Sequence, residues 1–186
     1  STGTNNSWQW GAPTSGPRAA KSGTNLWATN LAGTYSMSSD CYLISPSIAL
    51  PAEGNSILTF SHWVDMEGTT TLYDYGQVMI STDDGATWTN ITPVTGGKYG
   101  KRVQAWADEE ISLAAYAGST VKIRFYFHSD TSIAYDGWYI DDIYVMNVMT
   151  PEQAPESNLA NNTEKSSAIK KDTKKLDYVE PTAPDY

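Results

Sequence analysis

The chain is poor in the features that would mark most functional classes. It holds a single cysteine, Cys41, so no intrachain disulfide can form, and a secreted domain of this kind must be held by its core or by bound metal. Basic residues are few. Before residue 150 they are Arg18, Lys21, Lys98, Lys101, Arg102, Lys122 and Arg124, and the net charge is −9. That balance lacks the basic footprint of a nucleic-acid or anionic-membrane binder. No apolar run is long enough to span a bilayer, so membrane insertion is not expected. G-x-S-x-G, H-E-x-x-H, C-x-x-C and Gly-rich phosphate loops are all missing. The histidines are His62 and His128, both on predicted strands in aromatic company, and they read as structural. Neither a catalytic nor a cofactor-binding residue is assigned, and the expectation is a non-enzyme. A chain that starts at Ser1 without Met or a signal peptide is expected to be a mature piece of a longer product. An acidic surface suits Ca²⁺ binding and an extracellular or cell-surface location.

What the chain does hold is aromatic and β-branched. Tyr (12) and Trp (7) far outnumber Phe (3), a mix that suits amphipathic aromatic surfaces, and long helical patterns are absent. An all-β domain is expected. Residues 1–25 read as loop or edge strand, with Trp8 and Trp10 plugging onto a sheet. Strands are predicted over residues 26–31, 41–46, 56–64, 73–80, 104–107, 121–128 and 137–145. Residues 108–118 suit either a helical turn or a strand and turn. In the strand 121–128, Val121, Ile123, Phe125 and Phe127 should face the core, leaving Lys122, Arg124, Tyr126 and His128 on the other face. Residues 81–88 match S-x-D-x-G-x-T-W, the Asp box, a structural hairpin in which Asp83 bonds turn amides and Trp88 packs back. From about Met149 the composition turns to Pro, Asn, Glu and Lys. The expected organisation is a domain over residues 1–149 and a linker or extended tail over 150–186. Residues 176–179 could add a strand to a sheet edge, here or on a neighbouring copy.

The carboxylates are the candidate site. Asp65, Glu67 and Asp74 surround the open end of one predicted hairpin, where they repel unless a cation or solvent screens them. Such oxygen-rich clusters suit Ca²⁺. Asp40, just before a strand, is either a turn cap or a metal ligand. Asp141 and Asp142 are adjacent within a strand, so one of them should lie at an apolar layer and need a partner. Arg, backbone N–H groups and a metal ion are the alternatives.

Several motifs in order resemble a known family. Trp8-x-Trp10-Gly11-x-Pro13-x-x-Gly16-Pro17, Leu43-x-Ser45-Pro46-x-Ile48-x-Leu50, Leu58-x-Phe60-x-His62-Trp63 and Gly137-Trp138-Tyr139-Ile140-Asp141-Asp142-Ile143 are similar to the MAM-like accessory domains of secreted bacterial peptidases. These are peptidases of the immune inhibitor A and bacillopeptidase F kind. The last of those motifs also resembles the terminal strand of cleaved-adhesin domains. The resemblance covers about residues 8–147. It implies a jelly-roll β-sandwich of galactose-binding-like architecture, non-catalytic, with a structural Ca²⁺ near the closing strand. Carried over, Asp141 or Asp142 would be ligands, with Glu67, Asp74 and Asp40 nearby. The expected role is stabilisation of a multidomain protein or attachment to a protein or glycan surface. A carbohydrate-binding module, or a surface subunit assembling through its tail, are the alternatives.

Overall fold

A computed structural model describes residues 1–149 and, as backbone alone, a strand at Lys171–Lys175. The strands in chain order are β1 (Thr2–Thr4), β2 (Gln9–Gly11), β3 (Leu26–Ala28), β4 (Asp40–Ile44), β5 (Ile48–Ala49), β6 (Asn55–Asp65), β7 (Tyr75–Ser81), β8 (Thr89–Asn90), β9 (Arg102–Ser112), β10 (Thr120–His128), β11 (Gly137–Val148) and β12 (Lys171–Lys175). They form two six-stranded antiparallel sheets. The first runs β1-β4-β10-β7-β8, with β5 also on β10; the second runs β2-β3-β11-β6-β9, with β12 also on β11. This is the expected all-β sandwich. Residues 108–118 resolve as both alternatives: β9 runs on to Ser112, and a single 3₁₀ turn follows at Ala114–Tyr116.

The core follows from strand alternation. On β10, Val121, Ile123, Phe125 and Phe127 point inward, with Val78 and Ile80 of β7 beside them. Leu58, Phe60 and Val64 of β6 and Trp138 and Ile140 of β11 face them from the second sheet. Each fully buried large apolar side chain contributes about 1.5–3 kcal/mol. The second half of β6 is buried on both faces. A second apolar cluster explains this: Leu26, Ala28, Trp63 and Tyr139, with Ala20 and Leu31, cover the other side of that sheet. Trp8 plugs onto Trp138 with ring centres 6.0 Å apart, and Trp10 onto Trp27 at 5.5 Å.

The turn between β7 and β8 closes as its residues predict. Asp83 accepts from the Thr87 amide at 2.8 Å and from Ser81 Oγ at 2.7 Å. Gly85 takes φ +98°. Trp88 Nε1 donates to the Gly85 carbonyl at 3.0 Å, folding the indole back on the turn.

Within the stretch expected as linker or tail, Lys171–Lys175 pairs antiparallel with Tyr144–Val148 of β11. It extends the sheet along the same edge that β3 occupies further up β11. Residues 176–179, expected as the added strand, lie outside the described residues.

Candidate metal centre

Three loops at one end of the sandwich bring three carboxylates together. Glu67 follows β6, Asp74 precedes β7 and Asp130 follows β10. One oxygen of each lies within 4.8 Å of the others. Strand pairing dictates the meeting. His128 of β10 pairs with Tyr75 of β7, so the residues just beyond that pair are neighbours. Asp74 is fully buried. It accepts from the Asp130 amide at 2.8 Å and from the Tyr35 hydroxyl. That hydroxyl in turn accepts from the Glu67 amide at 3.2 Å. Asp130 accepts from the Ser132 amide at 2.8 Å.

Glu67 Oε2 is buried and has no hydrogen-bond partner among the described residues. The Glu67 carboxyl is pushed above its ordinary pKa by desolvation and then by the charges of Asp130 and Asp74. Asp74 is pushed up as well, by burial first, although hydrogen bonds from Tyr35 and Asp130 oppose it. Three oxygen donors with one buried lone pair unspent fit a hard cation, and the absence of sulfur or imidazole from the set favours Ca²⁺ over a transition metal. Alongside lies a cleft of about 660 Å³ lined by Glu67, Tyr73, Lys101, Arg102 and Tyr135, among others.

The remaining carboxylates named from the sequence stand apart, each with its own partners. Asp65 is buried and salt-bridged to Arg102 Nε at 2.7 Å, with Gln104 Nε2 donating at 3.0 Å. Asp40 opens β4. It accepts from the Tyr126 hydroxyl at 2.5 Å and lies 2.9 Å from His128 Nδ1. Its desolvation is outweighed by these contacts, which hold the carboxyl below its ordinary value. Asp141 is buried, and backbone amides surround it. Lys21 N at 2.9 Å and Ser22 N at 3.1 Å donate to one oxygen, and Asp142 N at 2.8 Å to the other. Asp142 accepts from Ser22 Oγ at 2.5 Å.

A bulge separates these two residues in role. Pairing between β11 and β6 shifts register between Asp141 and Tyr144, so β11 carries one extra residue there. Asp142 takes φ +50° at that point, a conformation Asp tolerates better than most residues. Simple alternation across Asp141-Asp142 therefore fails. Of the six carboxylates named from the sequence, only Glu67 and Asp74 join the cluster. Asp130, not named among the sequence candidates, is the third member.

A two-sheet antiparallel sandwich with an acidic loop cluster at one end is the architecture of a jelly-roll module. The chain belongs to the immune inhibitor A-like MAM domain family, whose model matches residues 35–150. It is 40% identical to Bacillopeptidase F of Bacillus subtilis over 76% of the chain, and 28% identical to the pre-pro-metalloprotease PrtV of Vibrio cholerae over 54%. The chain spans only 9% and 11% of those proteins' lengths. It is an accessory domain of the kind that peptidases carry. Among solved structures, TmCBM61 in complex with β-1,4-galactotriose has a similar fold, with a TM-score of 0.50 at 14% identity, covering 78% of this chain and 86% of that one.

Proposed function

We propose that the chain is a non-catalytic, calcium-binding β-sandwich module, residues 1–149, of an extracellular multidomain peptidase. Its role is to stabilise the parent protein or attach it to a surface. Kinship with peptidases supports the setting. The observation that carries the calcium reading is the unpaired, buried Glu67 Oε2 beside Asp74 and Asp130. A cation there removes the mutual repulsion and fills the open lone pair. It also ties the ends of β6, β7 and β10 together without a disulfide.

Thermal melts of the chain in Ca²⁺ and in EDTA test this. A ligand at 100 times its Kd stabilises by about 2.7 kcal/mol, which for a domain of this size raises the midpoint by about 5–10 °C. Glu67→Gln and Asp130→Asn should abolish most of the rise. A midpoint unchanged between Ca²⁺ and EDTA would remove the metal from the reading.

A further inference from the structure

The solvent-facing side of the first sheet carries an ordered aromatic and cationic array. The register of β4, β10 and β7 sets it out in three cross-strand rows: Ile44–Arg124–Met79, Tyr42–Tyr126–Gln77 and Asp40–His128–Tyr75. Tyr42 and Tyr126 stack at 5.3 Å and 22°. Tyr75 packs on His128 at 4.9 Å. The Arg124 guanidinium carbon lies 4.6 Å from the Tyr42 ring centre and 4.4 Å from that of Trp88. Lys98 Nζ sits 3.6 Å above Tyr75.

The charges on this face are unusual for so acidic a chain. Lys122 is paired with Asp84 at 2.6 Å, and Asp40 is held by Tyr126 and His128. Arg124 and Lys98 have no carboxylate partner among the described residues. Arg124 Nε and Nη2 reach only Met79 Sδ, at 3.3 and 3.1 Å, a weak acceptor. A half-buried guanidinium braced between two rings, with donors left over, is a preorganised fork for a carboxylate. The half-exposed tyrosines beside it pack face to face with one another, His128, Arg124 and Lys98, which leaves their ring edges to meet the C–H groups and hydroxyls of a sugar. A flexible acidic peptide would use the charge but leave the row of tyrosine edges without a matching surface.

We propose that this face, centred on Arg124 with Tyr42, Tyr126, Tyr75 and Lys98, binds an acidic polysaccharide, with a uronate carboxylate on Arg124 and the sugar against the tyrosine edges. The assignment rests on the attachment role in the proposed function, and its test does not depend on the metal. Isothermal titration of the full chain in Ca²⁺-containing buffer would use galacturonate tetramer, neutral β-1,4-galactotetraose and a tetraglutamate peptide. The galacturonate should bind, and the other two at least tenfold more weakly. Arg124→Gln should reduce galacturonate affinity about tenfold, the loss of one charge-assisted bidentate contact. Lys98→Gln should reduce it less, and neither should move the melting midpoint by more than a few degrees. Equal binding of the neutral sugar, equal binding of the peptide, no binding of galacturonate, or unchanged affinity in both variants would each overturn the proposal. If Arg124→Gln does not fold, Lys98→Gln decides, and its unchanged affinity overturns it. A failed calcium melt with galacturonate bound, or the reverse, separates this face from the metal centre.

Discussion

Acidification should destabilise the domain through one buried histidine. His62 is 5% exposed in the second sheet, under the core. Trp138 Nε1 donates to His62 Nδ1 at 3.1 Å, so that nitrogen must carry a lone pair. His62 Nε2 faces Glu109 Oε1 at 3.4 Å. Burial pushes the His62 pKa down from 6.5 to about 4, against the opposing charge of Asp108. The fold therefore favours the neutral ring, and between those two values the unfolded chain binds more protons than the folded one. The stabilisation is complete above pH 6.5 and is lost as pH falls through about 4. At about 1.4 kcal/mol per pH unit, it amounts to about 3 kcal/mol. Glu67, Asp74 and Glu109 have raised values and drift the other way, so the comparison must be differential. His62→Gln supplies an acceptor for Trp138 and does not titrate. Urea denaturation of both proteins from pH 7.5 to pH 4 should show the variant less stable at the top, because it leaves a gap in the core. Its deficit should shrink toward pH 4 by about 3 kcal/mol. A deficit that stays constant with pH would refute the argument, as would an NMR titration placing His62 near its ordinary value.

Two further outcomes separate structural roles from ligand roles. Asp141→Asn leaves one acceptor oxygen where three backbone amides donate to two, and should lose about 1–3 kcal/mol, by the same amount in Ca²⁺ and in EDTA; a loss confined to Ca²⁺, read from paired melts, would return Asp141 to the metal. Gly76→Ala places a methyl 2.4–2.8 Å from ring carbons of Trp138, which is fully buried, and should lose about 1–3 kcal/mol by overpacking, with a changed near-ultraviolet circular dichroism band.

The fold was legible because strand periodicity is a local property. Val121, Ile123, Phe125 and Phe127 alternate with Lys122, Arg124, Tyr126 and His128, and the structure puts the first set inside and the second outside. β6 was legible as a strand, but its two-sided burial was not. That burial depends on Leu26 and Ala28 of β3, a strand of the same sheet, and on Leu31 gathering with Trp63 and Tyr139, a contact between residues far apart in the chain. β12 was missed for a related reason. Lys171–Lys175 has no apolar alternation, and its place follows from the free edge of β11.

The site shows where local reading stops. Glu67 and Asp74 flank one connection, which does not close the expected hairpin but crosses from β6 in the second sheet to β7 in the first; nearness in the chain still made the pair legible. Asp130 arrives from another such crossing, between β10 and β11, and only the pairing of His128 with Tyr75 places it there. Asp141 and Asp142 were legible in part: one of them, Asp141, does lie buried and partnered, but the bulge that decides which one and with what partner is not written in the alternation. The extra residue at the bulge turns Asp142 toward Ser22, while Asp141 gathers the amides of the 21–22 segment. Of the three partners the sequence left open for that buried carboxylate, the structure chose backbone N–H groups. A carboxylate so supplied has little reason to recruit a cation. Glu67, whose buried Oε2 has no donor among the described residues, does, which is why the proposed calcium site lies beyond the end of β6 rather than at the bulge.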